Sequence, residues 1–319
     1  MEAIGTGYGK LILFGEHAAV YGHPAIGVQL PERTTVTLRG PWDTSWDLDG
    51  IPPEDREPAQ RVLAKLETLL PELARSGRGA VSVESTIPRG VGLGSSAALC
   101  LAAAEAALTL LSEMPSERGR APTWELAHEL ERLFHGTPSG IDTGLSLHEG
   151  LTAYSPRPPA LPEWEQMSTV PFWLVAGAVP RAGGSATLIR GIGERMSAGE
   201  KKVRQGLSEL GRIARQVKGE LAASAPADRA VSIGRHADAA MRILRELGLS
   251  NPALDALLEE GRRSGALGGK LSGAGGGGAF FLVVENEEAA HTTAVRLQDA
   301  ALARGVRLVL GPRALCAGR

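Results

Sequence analysis

Pro88-Arg89-Gly90-Val91-Gly92-Leu93-Gly94-Ser95-Ser96-Ala97-Ala98 puts glycine at every second position from 90 to 94 and then opens into a run of good helix formers. Glycines at that spacing let a backbone take φ > 0 and approach a ligand with no Cβ in the way. The serines are expected to cap the helix that follows, whose free N–H groups and positive dipole end favour an anion. The stretch therefore predicts a phosphate-binding loop at a helix N-terminus. Two other phosphate loops are excluded by their residues. A Walker A loop needs Ser or Thr after Gly-Lys, but Gly9-Lys10 and Gly269-Lys270 are each followed by leucine. The run Gly92 to Ala97 formally matches the G-x-G-x-x-A dinucleotide fingerprint, with Glu113 as the acidic residue further on. Residues 87–91, however, separate the preceding strand from its first glycine, and Glu113 follows a helix with no strand of its own to end.

A tight turn without ligand is the bland reading of the three glycines. It weakens because a second glycine-rich turn lies at 273–278 and a glycine-flanked segment at 5–9, so three backbone walls around one ligand are expected. The bulk composition sets that ligand in an ordinary globular protein. The chain has 319 residues, long for one core, with 43% hydrophobic and 22% charged residues. A formal net charge of −2 gives no support for nucleic-acid or anionic-membrane binding, so phosphate recognition must be local. Cys100 and Cys316 are too few for a disulfide framework. The apolar run 11–14 is too short for a secretory leader, and the stretch 97–111 carries Glu105 and falls short of the ~20 residues of a membrane span. No membrane association and a cytoplasmic location are expected.

Hydrophobic periodicity predicts strands at 10–14, 24–30, 33–38 and 80–85, an irregular connection at 40–54, and helices at 59–70, 97–112 and 124–134. The five prolines of 155–171 mark the expected domain boundary. Beyond it come a strand at 171–177, helices over most of 186–247 and at 252–264, a strand at 279–284, a helix at 286–304 and a strand near 306–310. The expected class is α+β in two domains.

With the glycine segments side by side, the chain resembles the GHMP kinases, a superfamily of small-molecule kinases, and within it the mevalonate kinases. Residues 88–98 match the family's nucleotide loop, and Lys270-Leu271-Ser272-Gly273-Ala274-Gly275-Gly276-Gly277-Gly278 resembles its C-terminal glycine motif. The discriminating segment is Gly9 to Gly22, containing Gly15-Glu16-His17-Ala18-Ala19. A galactokinase would carry Asp-Tyr where Ala18-Ala19 stand. The segment Glu131-Arg132-Leu133-Phe134-His135-Gly136-Thr137-Pro138-Ser139-Gly140-Ile141-Asp142 resembles the same branch.

The resemblance implies a two-domain GHMP kinase fold. A ribosomal-protein-like βαβ domain would span 1–163 and a ferredoxin-like domain 164–319, with the active site in the cleft between them. It implies ATP and Mg2+ as cofactors and phosphorylation of the C5 hydroxyl of (R)-mevalonate. Asp142 would be the catalytic base, assisted by Lys10, whose positive charge would lower the carboxylate's pKa. ATP would be held by Lys10, Ser85, Gly90, Val91, Gly92, Leu93, Gly94, Ser95 and Ser96, and the metal by Ser96 and Glu131. Glu16, His17, Asp142, Gly273, Ala274 and either Ser185 or Thr187 would face the substrate. His135 is read as structural. The resemblance leaves a homodimer open.

The chain departs from the family at Gly7-Tyr8-Gly9, where Ala-Pro-Gly is usual, and at Thr143, where Asn is usual. Ala182-Gly183-Gly184 lengthens the loop before Ser185, and Ala279 stands where Cys is frequent. None of these removes a catalytic group. The alternatives are phosphomevalonate kinase or a related small-alcohol kinase, a nucleotide-binding sensor without turnover, and a dehydrogenase. The first would want a basic cluster for a substrate phosphate, which residues 9–22 lack. Retention of Lys10, Ser96, Glu131 and Asp142 together speaks against the second.

Overall fold

The structure is a computed structural model that describes residues 2–43, 45–75, 77–111, 120–167, 172–181, 183–223 and 229–317. Glu113 and Ala182 lie outside the described residues. The chain forms two compact units, each assembled from non-contiguous segments. One comprises Met1–Lys10, Gln29–Ile87 and Gly94–Glu149, and the other Leu11–Val28, Pro88–Leu93 and Gly150–Arg319. Strands β1 (Glu2–Phe14) and β2 (Ala25–Asp43) run through both. The five-stranded sheet to which they belong has the order β1-β2-β4-β5, with β3 also on β2.

In the first unit β2 pairs antiparallel with β3 (Arg78–Ser85), in the register Thr34 opposite Ser85 to Arg39 opposite Ala80. Helices α1 (Pro53–Leu69), α2 (Pro71–Arg75), α3 (Ser95–Leu110), α4 (Arg120–His135) and α5 (Ile141–Leu147) complete it. Helix α3 is apolar on nearly every face and is buried from Ala97 to Ala104 and again over 106–108, as a central helix must be. Its alanines let β1 lie close. A Cβ on Gly5 would stand 2.0 Å from the Ala102 carbonyl oxygen, and one on Gly7 2.1 Å from that of Ala98. Gly5 and Gly7 are therefore packing residues, which corrects the expectation that segment 5–9 forms a ligand wall.

In the second unit Ala25–Val28 of β2 pair with β4 (Leu151–Arg157), and β4 with β5 (Ala160–Gln166). The proline-rich stretch after 155 is thus largely a hairpin. Its second sheet contains β6 (Phe172–Val179), β7 (Gly268–Leu271), β8 (Gly278–Val284) and β9 (Leu310–Ala317) in the order β7-β8-β6-β9, all antiparallel. Between β6 and β7 come α6 (Ser185–Ser197), α7 (Lys201–Ala222), α8 (Arg229–Glu246) and α9 (Pro252–Arg263), and between β8 and β9 comes α10 (Glu287–Ala303). The first strand of the set lies between the third and fourth, with α8 and α10 packed on the sheet. That is the ferredoxin-like arrangement the family resemblance implies. Every residue of β8 is buried, so it reads as one apolar run. Among the described residues no helix is long and apolar enough to cross a membrane.

Candidate active site

Each unit gathers its own set of polar residues. In the first, Lys10 Nζ lies 2.7 Å from Asp142 Oδ1, although 131 positions separate the two residues in the chain. Lys10 is 3% exposed and ends the part of β1 that belongs to this unit. Asp142 is the second residue of α5, placed there by a turn in which Gly140 takes φ 76° as N-cap. Trp124, which the sequence did not single out, and Thr143 brace that turn. Trp124 Nε1 donates to the Gly140 carbonyl and to Thr143 Oγ1, both at 3.2 Å, and Thr143 Oγ1 donates to the Gly140 carbonyl at 3.1 Å. Thr143 thus fills the place of the usual Asn with a satisfied, fully buried hydroxyl.

The glycine loop 88–94 leads into α3 through Gly94, which is the N-cap at φ 87° with no side-chain cap bond. Ser95 and Ser96 occupy the first turn instead of capping it, a correction to the expected serine cap. The glycine is required on two counts. A Cβ there would stand 2.7 Å from Lys10 Cγ, and the backbone is left-handed. The Ser96 hydroxyl lies 3.3 Å from His135 Nε2. Ser85 is exposed at the end of β3, its hydroxyl 2.8 Å from that of Thr34.

Glu131 carries the strongest electrostatic signal. Its side chain is buried, at 1% exposure, and neither carboxylate oxygen has a hydrogen-bond partner among the described residues. Burial, and then the negative charge of Asp142, push its pKa up to about 8, with Lys10 pulling the other way. A buried carboxylate with no donor costs several kcal/mol if ionised, unless a cation compensates it. One ligand atom each from Glu131, His135 and Asp142 lie within 4.8 Å of one another. This donor set, with the Ser96 hydroxyl beside it, fits a divalent cation.

The second unit contributes the other set. Glu16 and Lys270, 4% and 0% exposed, form a fully buried ion pair. Lys270 Nζ also donates to the carbonyls of Leu13 (3.1 Å) and Leu271 (2.7 Å) and lies over the rings of Phe14 and Phe281. Burial pushes the carboxyl of Glu16 up and the ammonium of Lys270 down, and the mutual attraction of the pair opposes both. The Glu16 carboxylate is thus paired with Lys270, to which the sequence reading assigned no role. His17 adopts φ 59° and ψ −43°, a positive-φ backbone that an L-residue rarely takes. Its Nε2 lies 3.2 Å from the Ala274 carbonyl oxygen. Because a carbonyl only accepts, Nε2 carries the proton and Nδ1 is left as an acceptor. Burial lowers the His17 pKa to about 4, so the ring is neutral at physiological pH.

Arg181 ties the loops of this unit together. Its Nη1 donates to Ser185 Oγ. Its Nη2 lies where a Cβ on Gly92 or Gly278 would approach to 2.5 or 2.7 Å. The Ala279 N–H donates to the Val91 carbonyl at 2.8 Å, joining the 88–93 segment to β8. Glycines 273 and 275–278 all take positive φ. Of the two hydroxyl candidates, Ser185 is half-buried and bonded to Arg181, whereas Thr187 is exposed on α6. Arg181 follows Val179-Pro180 directly, and that position was the one available signal for it.

The GHMP kinases N terminal domain matches residues 59–150, and the GHMP kinases C terminal domain matches 221–301. The chain is 30% identical to a mevalonate kinase of Thermococcus onnurineus, over 93% of each chain. Its fold is similar to that of L. major mevalonate kinase solved with R-mevalonate, with a TM-score of 0.79 and 22% identity over 98% of this chain and 95% of that one. It is also similar to the Methanococcus jannaschii mevalonate kinase, with a TM-score of 0.74 and 21% identity over 99% and 98%.

Proposed function

The chain belongs to the GHMP kinases, and from that premise we propose that it transfers the γ-phosphoryl group of ATP to the C5 hydroxyl of (R)-mevalonate, giving 5-phosphomevalonate and ADP. The observation that carries the reading is the Lys10–Asp142 pair at 2.7 Å, in a chain 30% identical to a mevalonate kinase over 93% of its length. Phosphoryl transfer asks the protein for positioning, charge neutralisation and a group to take the hydroxyl proton. Asp142 takes the proton of the C5 hydroxyl, and Lys10 supplies its charge partner. Backbone N–H groups of residues 90–96, at the N-terminus of α3, bind the phosphates; Ser85 contacts the nucleotide. Ser96 and Glu131 hold Mg2+, which when bound neutralises developing charge on the phosphate oxygens. On the substrate side, neutral His17 accepts a hydrogen bond at Nδ1, and Ser185 and the backbone of Gly273 and Ala274 complete the set. Glu16 acts through Lys270, which keeps the Gly15–His17 turn in place.

We place the domain division at 1–163 and 164–319, each part containing the span that one family domain matches. A cytoplasmic enzyme suits a soluble substrate and ATP. Phosphomevalonate kinase is the second reading, since the same fold serves both reactions. A coupled ADP-release assay with mevalonate, phosphomevalonate, homoserine and galactose tests the proposal. Turnover on mevalonate alone is expected, and no turnover on mevalonate above background would refute it.

A further inference from the structure

His135 ends α4 one turn after Glu131, so the two side chains share a helix face. The i, i+4 spacing is the one by which a single helix offers two ligands to one metal ion. Here that spacing brings both side chains into one cluster. His135 Nε2 faces Ser96 Oγ at 3.3 Å, and a His135 ring nitrogen lies within 4.8 Å of ligand atoms of Glu131 and Asp142. The independent sign that points to a cation is Glu131 itself, 1% exposed with neither oxygen hydrogen-bonded among the described residues. Asp142 is already engaged by Lys10, which leaves Ser96, Glu131 and His135 as the donor set.

We propose that the His135 imidazole is a nitrogen ligand of the cation site formed by Ser96 and Glu131, and that it gives this site a preference for Mn2+ over Mg2+. Imidazole nitrogen suits borderline transition ions, whereas Mg2+ keeps to oxygen ligands and water. His135 is thereby a determinant of metal choice, where its sequence context alone suggested a structural histidine. The inference rests on the assignment of Ser96 and Glu131 to the cation.

Its test reads the metal directly. Pulsed electron paramagnetic resonance of the full chain with Mn2+ alone, and with Mn2+ and ADP, is expected to show hyperfine coupling to a histidine 14N. Titrations are expected to show that His135→Ala weakens Mn2+ binding by about tenfold or more while Mg2+ binding changes less than about threefold. Absence of 14N coupling in the wild-type chain, or equal weakening for both ions in the variant, overturns the inference; the coupling is read without any substitution, so a poorly folded variant cannot mask it. Glu131→Gln separates the two levels. Loss of Mn2+ binding in that variant, with no 14N coupling in the wild type, leaves the Ser96/Glu131 site standing and removes His135. Undiminished Mn2+ binding in Glu131→Gln refutes the underlying site, and the inference with it.

Discussion

Replacing Lys270 by methionine should cost the second unit about 3–5 kcal/mol, the range for breaking a buried ion pair by removing one partner. The cost follows from what Lys270 touches. Its ammonium is fully buried, is held by the carbonyls of Leu13 and Leu271, and is the counterion of Glu16. Methionine keeps an unbranched apolar side chain beside the Phe14 and Phe281 rings, but it strands Glu16 as a buried carboxylate that has lost its cation. Glu16→Gln in the same chain removes that stranded charge. The double variant should therefore be less destabilised than Lys270→Met alone, with a coupling energy of about 2 kcal/mol between the two sites. Urea unfolding followed by peptide-resolved hydrogen exchange in β6 and β8 reports on this unit alone, without assuming that the chain unfolds in one step. Single-variant costs that add to within about 0.5 kcal/mol would refute the reasoning, because the pair would then be two independent contacts.

Asp142→Asn is expected to lower turnover by about 10²–10⁴-fold in the ADP-release assay, with nucleotide binding by calorimetry nearly unchanged; near-normal turnover would remove Asp142 from the mechanism. His17 gives a pH prediction. Its folded pKa of about 4 lies below the ordinary 6.5, so above 6.5 the ring is neutral in both states. Between 6.5 and 4 the unfolded chain binds the proton and stability falls by about 1.4 kcal/mol per pH unit. The denaturation midpoint of His17→Gln should be flatter than that of the wild type over this window, and identical slopes would contradict the burial of the ring.

The chemistry of the site was more legible than its geometry. Strand and helix periodicity predicted β3, α3 and α8 to α10, because those elements bury one clear face or run; the ferredoxin-like half came only from the family resemblance. The hairpin β4/β5 was masked by its prolines, and β2, a single strand of 19 residues, read as two because Pro31 and charged residues interrupt its pattern. Gly5 and Gly7 misled, since a glycine demanded by close packing against α3 looks in sequence like one demanded by a ligand. Lys10 and Asp142 could be paired only through the family resemblance, because nothing local links residues so far apart. Lys270 and Arg181 were passed over for the opposite reason: a lone lysine or arginine beside glycines reads as a solvated charge, and only the folded chain places it among buried partners.

The central claim is the acceptor atom, and the phosphorus resonance of the product tests it most directly. Incubation with ATP and (R)-mevalonate should yield a phosphate ester whose 31P signal couples through three bonds to the two C5 protons. An ester lacking that coupling, as phosphate on the tertiary C3 hydroxyl would give, or no ester at all, would contradict the account.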